Sequence, residues 1–165
     1  ARPDDGQLGP VSLHEVVHNC IYAFKKRTDM RIRLDLQEDV WVRADPVELG
    51  RVISNLLENA RRYGKTAASG MTLVDIAARN REQWVLIKLR DHGPGVDPEL
   101  LPNLTKPFFR GNAARTEATG AGLGLSIVEK TIRRMGGKFA LGNTSSGGLA
   151  AHMKLPRAPN PRRPE

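Results

Sequence analysis

The chain has 165 residues, of which 39% are hydrophobic and 27% are charged, and its formal net charge is +8. These values suit one globular domain and exclude collagenous and wholly disordered classes. No apolar run is long enough to cross a bilayer, and Ala1 to Pro10 lack the basic flank and apolar segment of a signal peptide. The single cysteine, Cys20, excludes an intramolecular disulfide, so we expect a reducing compartment.

The excess of basic residues does not by itself indicate nucleic-acid binding. Much of it lies in adjacent pairs, such as Arg61-Arg62 and Arg133-Arg134, at the predicted ends of helices. Cations are favoured there by the helix dipole. Aromatic residues, which would stack on bases, do not alternate with them. We therefore expect no nucleic-acid partner, and a small anionic ligand is favoured instead.

The predicted elements form one α+β domain between two flexible ends. Residues 1–10 are a Pro- and Gly-rich linker, residues 11–156 are the domain, and residues 157–165 are a Pro/Arg-rich tail expected to be disordered. Ser12 and Glu15 form a capping box that predicts a helix to about Arg27. Alternating apolar and polar residues predict strands at 30–37 and 40–44.

The second helix is the clearest element of the sequence. Asp45 and Pro46 predict its start, and Gly64 predicts its end as a residue in the left-handed conformation. The elements expected after it are strands at about 71–79 and 83–90, a short helix after Asp97-Pro98, a helix at about 123–135, and strands near 138–142 and 149–155. Such an arrangement predicts a sheet that helices cover on one face.

The second helix carries an unusual polar stripe. Asn55, Asn59 and Arg62 follow at helical spacings and share one face, apart from the apolar stripe. Asparagine is a poor helix former, so two aligned asparagines suggest a role for their side chains. An amide oxygen suits Mg²⁺, and an arginine one turn away suits phosphate. A solvated polar face is the alternative explanation.

Two glycine-rich segments accompany this stripe. Asp91-His92-Gly93-Pro94-Gly95 follows a predicted strand, where the carboxylate can accept a hydrogen bond from an exocyclic amine and the glycines allow close approach of a flat ligand. A plain turn is the alternative. Gly120 to Leu125 lead into the last helix, whose amides and dipole favour phosphate. The preceding loop excludes a dinucleotide fold, and the missing Lys excludes a P-loop.

Four motifs in this order resemble the catalytic ATP-binding domain of sensor histidine kinases. Asn55-Leu-Leu-Glu-Asn59-Ala-Arg-Arg62-Tyr63 is similar to the N box, Asp91 to Gly95 to the first glycine box, Pro107-Phe108-Phe109-Arg110-Gly111 to the F box, and Gly120 to Leu125 to the second glycine box. The residues within these motifs look most like those of the EnvZ-type osmolarity-sensor branch. The resemblance implies a two-layer α/β sandwich of the Bergerat type, with a mixed five-stranded sheet, about three helices on one face and a mobile ATP lid.

The resemblance also implies a role for each matching residue toward ATP or ADP with Mg²⁺. Asn59 would be the Mg²⁺ ligand with Asn55 beside it, Arg62 would contact phosphate, Tyr63 would line the nucleotide, and Asp91 would hold the adenine amine, with Gly93, Gly95 and Val96 next to it. Phe108 would anchor the lid, Arg110 or Arg115 would reach the terminal phosphates, and Gly120, Gly122, Leu123, Gly124 and Leu125 would surround the phosphates.

The implied activity is transfer of the γ-phosphoryl group of Mg·ATP to a histidine and then to an aspartate of an OmpR-like response regulator. None of the four histidines lies in the family's phosphoacceptor context. The acceptor would lie in a helical-hairpin domain of a homodimer, and the whole protein would be anchored in a bacterial inner membrane with this domain in the cytoplasm. The alternatives are a standalone ATPase and a basic nucleic-acid-binding module. Asn55 argues against the ATPase because an amide cannot act as a general base.

Overall fold

A computed structural model describes residues 8–24, 26, 29–66, 68–106 and 124–163. Its elements are β1 (Gly9–Ser12), α1 (Leu13–Phe24), β2 (Met30–Leu36), β3 (Trp41–Ala44), α2 (Pro46–Tyr63), β4 (Thr72–Arg81), β5 (Trp84–Asp91), a 3-10 helix (Pro98–Asn103), α3 (Gly124–Arg134), β6 (Lys138–Asn143) and β7 (Leu149–Pro156). Within these ranges, none of the helices has the length and hydropathy that a membrane span requires.

The main sheet is mixed and five-stranded, in the order β2-β4-β5-β7-β6. Strands β2 and β4 run parallel, whereas the other neighbouring pairs are antiparallel. A second, two-stranded sheet pairs β1 with β3 in antiparallel register. The expected mixed five-stranded sheet is therefore confirmed.

One face of the main sheet packs against the three α-helices. Val74, Ile76 and Ala78 alternate along β4 toward this inner face and are buried. The predicted apolar stripe of α2 is buried against it, with Ile53 and Leu57 at 1% and 0% exposure. Burying a side chain of this size contributes about 1.5–3 kcal/mol. Because the helices occupy a single face, the domain is the expected two-layer α+β sandwich, and its other face is left without a helical layer in the described residues.

The start of α2 is capped as the sequence predicts, whereas the backbone conformation at its end differs from the prediction. Asp45 Oδ1 accepts hydrogen bonds from the amides of Val47 and Glu48 at 2.9 and 3.2 Å, as predicted for α2. Gly64 ends α2, but its φ is −101°, so the left-handed conformation predicted for it is wrong. A Cβ atom there would lie 2.6 Å from the Cβ of Asp91. Glycine is needed because another segment packs closely against it.

Described residues from the predicted linker and from the predicted tail contact the rest of the domain. Gly9 lies in the residues expected to be linker, yet it pairs with Ala44 on β3. The tail differs as well: the guanidinium of Arg162 lies 5.3 Å from the centroid of the Trp41 ring and 2.7 Å from the Glu15 carboxylate. Glu15 thus pairs with the tail, while Ser12 Oγ still accepts from the Glu15 amide at 3.3 Å. The first helix ends at Phe24, earlier than expected.

Candidate functional site

A small pocket of about 30 Å³ lies between the C-terminal half of α2 and the inner face of the sheet. Asn59, Tyr63 and Asp91 supply its polar and aromatic lining. Leucines from the helices and the sheet supply most of its apolar lining, among them Leu56, Leu125, Leu141 and Leu149. A mostly apolar concavity with a few converging polar groups is the usual form of a small-molecule site.

Asp91 is the best-defined polar group of this pocket. It ends β5 and is 8% exposed. Its Oδ1 atom accepts hydrogen bonds from the amides of Gly93 and Leu149, at 2.9 and 3.1 Å. Its other oxygen, Oδ2, makes no hydrogen bond in the part of the chain that the structure describes. The carboxylate is therefore held in place by one oxygen and has the second available for an external donor.

Glycines around Asp91 allow three backbone segments to approach one another. A Cβ atom on Gly93 would lie 2.6 Å from the Cα of Gly64, at the end of α2. Gly148 has a φ of +97°, a conformation that favours glycine, and it lies directly against the backbone of Asp91. These contacts bring the end of α2, the loop after β5 and the turn before β7 together. Gly93 is thus required by the close backbone of Gly64, and its predicted role toward a flat ligand stays a prediction.

Asn143, at the end of β6, clamps the loop that follows Asp91. Its Nδ2 donates to the carbonyl of Val96 at 2.6 Å, and its Oδ1 accepts from the Val96 amide at 2.9 Å. Gly95 has a φ of +75°, and a Cβ there would lie 2.6 Å from Asn143 Oδ1. The sequence does not indicate Asn143, since a lone asparagine at a strand end has no pattern that marks a contact 47 positions away.

His92 links the same loop to the opposite face of the sheet. Its Nε2 lies 2.6 Å from Asp75 Oδ2 on β4, and Arg33 on β2 donates to both oxygens of that carboxylate, at 2.7 and 3.0 Å. The hydrogen bond from Arg33, followed by the one from His92, lowers the pKa of Asp75 to about 2. This chain of polar contacts fixes the loop residue next to Asp91. The sequence did not indicate it.

The structure separates the members of the polar stripe on α2. Asn59 lines the pocket, as does Tyr63, whereas Asn55 is half-buried one turn earlier and does not line it. Arg62 is exposed, and its Nε donates to Glu58 at 3.1 Å. Hydrogen bonds from Arg61 first, and from Arg62, lower the pKa of Glu58. Arg62 can therefore contact a phosphate only after it breaks this exposed ion pair with Glu58, at a cost of about 1 kcal/mol or less.

The remaining predicted residues are only partly placed. Gly124 is the exposed first residue of α3, and Leu125 after it lines the pocket, so this helix begins beside Asn59 and Asp91. The other predicted residues lie outside the described residues, and so does the predicted lid: they are Phe108, Arg110, Arg115, Gly120, Gly122 and Leu123.

The donors at the pocket fit a metal that is bound together with a phosphate. The described residues contain no group of three or more His, Cys, Asp or Glu side chains that would hold a metal by themselves. The Asn59 amide offers one hard oxygen, and Mg²⁺ commonly takes its other ligands from phosphate and water. Asn59 therefore suits Mg²⁺ that arrives with a nucleotide better than a resident ion.

The family model of the histidine kinase-, DNA gyrase B- and HSP90-like ATPases matches residues 44–159. The signal transduction histidine-protein kinase AfsQ2 of Streptomyces coelicolor is 32% identical over 130 residues, which are 79% of this chain and 23% of that protein. The sensor protein kinase PmrB of Pseudomonas aeruginosa is 34% identical over 162 residues, which are 96% of this chain and 33% of that protein. The chain thus spans between 23% and 33% of the length of these relatives.

Solved structures of a histidine kinase have a similar fold. The nucleotide-free catalytic domain of the histidine kinase ThkA superposes with a TM-score of 0.78 at 24% identity, covering 91% of this chain and 95% of that one. ThkA in complex with the response regulator protein TrrA gives a TM-score of 0.72 at 25% identity, covering 94% of this chain and 43% of that one. With its sheet order, its Asp91 pocket and the family match over most of its length, the chain belongs to the family of histidine kinase-, DNA gyrase B- and HSP90-like ATPases.

Proposed function

We propose that this chain is the ATP-binding catalytic domain of a sensor histidine kinase. The observation that carries the proposal is Asp91: a buried carboxylate in the pocket wall, oriented by two backbone amides on Oδ1, with Oδ2 unbonded in the described residues. An acceptor of this kind is matched to the exocyclic amine of adenine, whereas guanine presents a carbonyl oxygen in that place. The family match and the sensor-kinase relatives support the same function.

The chain's own residues would bind and orient the nucleotide. Asp91 accepts from the adenine amine, and Leu125, Leu141 and Leu149 exclude water around the base. Tyr63 lines the same pocket one turn after Asn59, whose amide oxygen would hold Mg²⁺. When bound, Mg·ATP supplies the γ-phosphoryl group that is transferred.

The phosphate end of the site would combine charge with backbone amides. By the resemblance, Arg62, Arg110 or Arg115 would neutralise the phosphates, and the amides from Gly120 to Gly124 would hold them at the start of α3. Asn55 occupies the position from which related ATPases activate water. Because its amide cannot accept the proton, the site favours transfer to another nucleophile over hydrolysis.

The whole protein extends the proposal beyond this chain. We infer a homodimer whose helical-hairpin domain carries the phosphoaccepting histidine, with a response regulator of the OmpR-like class as the next acceptor. The complex of ThkA with TrrA supports a regulator as partner. The whole protein would be a membrane-anchored sensor with this domain in the bacterial cytoplasm. The Pro107-Phe108-Phe109-Arg110-Gly111 segment supports the EnvZ-like branch.

Calorimetric titration with a non-hydrolysable ATP analogue, with and without Mg²⁺, tests the proposal directly. We expect one site per chain, tighter binding in the presence of Mg²⁺, and much weaker binding of the matching GTP analogue. Asn59→Ala should remove most of the Mg²⁺ dependence and leave adenosine binding largely intact. Failure of the chain to bind the ATP analogue under either condition, or equal binding of the GTP analogue, would contradict it.

A further inference from the structure

The face of the main sheet opposite the helices, called the outer face below, carries two neighbouring pairs of basic residues. Lys138 on β6 lies directly opposite Lys154 on β7. One row along the same strands, Lys88 on β5 lies directly opposite His152 on β7. Like charges placed directly opposite each other on neighbouring strands destabilise a sheet. The facing lysines Lys138 and Lys154 are therefore an unfavourable pair within this sheet.

No carboxylate of the described chain compensates these pairs. Neither Lys88, Lys138, His152 nor Lys154 forms an ion pair there. The outer-face carboxylates of β2 and β4 are already engaged, Asp35 by Arg79 and Asp75 by Arg33 and His92. Burial, and then the charge of Lys88, lower the pKa of His152, which favours its neutral form and leaves Lys88, Lys138 and Lys154 as the positive charges of this surface.

The four basic side chains surround a groove of about 540 Å³. Ala77, Leu86 and Ala140 supply apolar surface within it, and the two alanines leave room that larger side chains would fill. The ammonium of Lys154 lies 4.2 Å from the centroid of the Trp84 ring, which fixes it at one edge. The volume is within the range of about 300–1,000 Å³ that is usual for small-molecule sites.

The spacing of the strands sets the size of a suitable ligand. Neighbouring strands are about 4.8 Å apart, and residues two positions apart on one strand are about 6.8 Å apart. The backbone positions of the basic residues are therefore separated by about 5–12 Å. A single monovalent anion cannot contact all of them, whereas a compact molecule with several anionic groups can.

We propose that the outer-face groove binds a small ligand with two or more carboxylate or phosphate groups, whose apolar part rests on Ala77, Leu86 and Ala140. The site is separate from the Asp91 pocket, which lies on the helical side of the same sheet. The proposal is independent of nucleotide binding and would stand if the Asp91 pocket held a different ligand.

The test is a titration of the 165-residue chain with citrate and, separately, with inorganic pyrophosphate, followed by amide chemical shifts. Two double variants are compared: Lys88→Gln with Lys138→Gln, and the control Lys26→Gln with Arg43→Gln, which removes the same charge from exposed residues elsewhere. We expect saturable shifts on β5, β6 and β7 in the wild type and the control, and at least tenfold weaker binding in the groove variant. The two probes distinguish carboxylate from phosphate preference, and saturable binding of either supports the site.

Thermal unfolding gives a second measurement that a purely structural role would not produce. Removing the repulsion should leave the Tm of the ligand-free groove variant equal to or above that of the wild type, while the better probe raises the Tm of the wild type and control alone. Equal weakening in both double variants would overturn the proposal. So would saturable shifts confined to the Asp91 pocket, an absence of saturation with both probes, or a lower Tm of the ligand-free groove variant.

Discussion

Replacing Asp91 by asparagine separates nucleotide recognition from folding. The asparagine carbonyl can keep both hydrogen bonds that Oδ1 accepts from the amides of Gly93 and Leu149. The other oxygen, which makes no hydrogen bond in the described residues, becomes an amide nitrogen that donates. Toward an adenine amine, an acceptor is thus replaced by a second donor, while the contacts within the protein keep their geometry.

The two consequences of Asp91→Asn have different sizes. A lost hydrogen bond to a charged group costs about 1.5–3 kcal/mol, which corresponds to a loss of about ten- to a hundredfold in ADP affinity. The two internal hydrogen bonds change from a charged to a neutral acceptor, at a cost of about 1 kcal/mol. For a domain of this size the Tm should therefore fall by no more than about 4 °C. Selectivity for ADP over GDP should fall along with the affinity.

Asp45→Asn is the matched control, because Asp45 is also nearly buried and also accepts from two backbone amides. Asparagine and aspartate are about equally good at a helix N-cap, so its Tm should change little and its ADP affinity should not change. Calorimetry with ADP and GDP, together with thermal unfolding, measures both quantities for both variants. Unchanged ADP affinity in Asp91→Asn, or an equal loss in the control, would show that the carboxylate does not recognise the base.

Three other predictions concern Gly64, Asp75 and the phosphorylation of this chain. Gly64→Ala should destabilise the domain by about 1–3 kcal/mol and weaken ADP binding, since its Cβ would lie 2.6 Å from Asp91. The control is Gly50→Ala in α2, whose Cβ meets nothing within 4 Å, and thermal unfolding should show it to be neutral or stabilising. The pKa of Asp75 is about 2 in the folded domain, against an ordinary 3.8. Its ion pair therefore stabilises the domain above about pH 4, and this stabilisation is lost as the pH falls toward 2. In an acid titration, the stability of Asp75→Asn should decline less steeply with falling pH than that of the wild type. Incubation with γ-labelled ATP should leave no acid-labile phosphate on this chain, and labelling of any of its histidines would contradict the proposed position of the acceptor.

The features that the sequence predicted correctly depend on neighbours in the chain. The start of α2 is one example, because Asp45 caps amides only two and three positions away. The burial of its apolar stripe is another, since helical periodicity alone places Ile53 and Leu57 on one face. Asn59 and Asp91, whose roles toward a nucleotide stay predictions, were identified by motifs whose spacing is also local, and both line the same pocket.

The features that the sequence did not predict depend on contacts between distant segments. Gly64 is packed closely against Asp91, which lies on another element, and the local pattern of a glycine after a helix does not reveal this contact. The Asn143 clamp joins residues 47 positions apart, and the Arg33–Asp75 pair joins residues 42 positions apart. In the predicted tail, Arg162 contacts Trp41 and Glu15, and composition alone does not reveal these contacts.

If Asp91 recognises the base as proposed, the amide of Leu149 makes that recognition dependent on the hairpin of β6 and β7. If this hairpin opens locally, one of the two hydrogen bonds that orient the Asp91 carboxylate is lost, even when α2 and the rest of the sheet stay folded. The fraction of molecules that is competent to bind then equals the fraction in which the hairpin is closed, and the apparent affinity falls in the same proportion. A substitution in the turn at 144–148 can thus act as an affinity variant without touching the ligand, and its effect should grow with temperature as the hairpin opens more often.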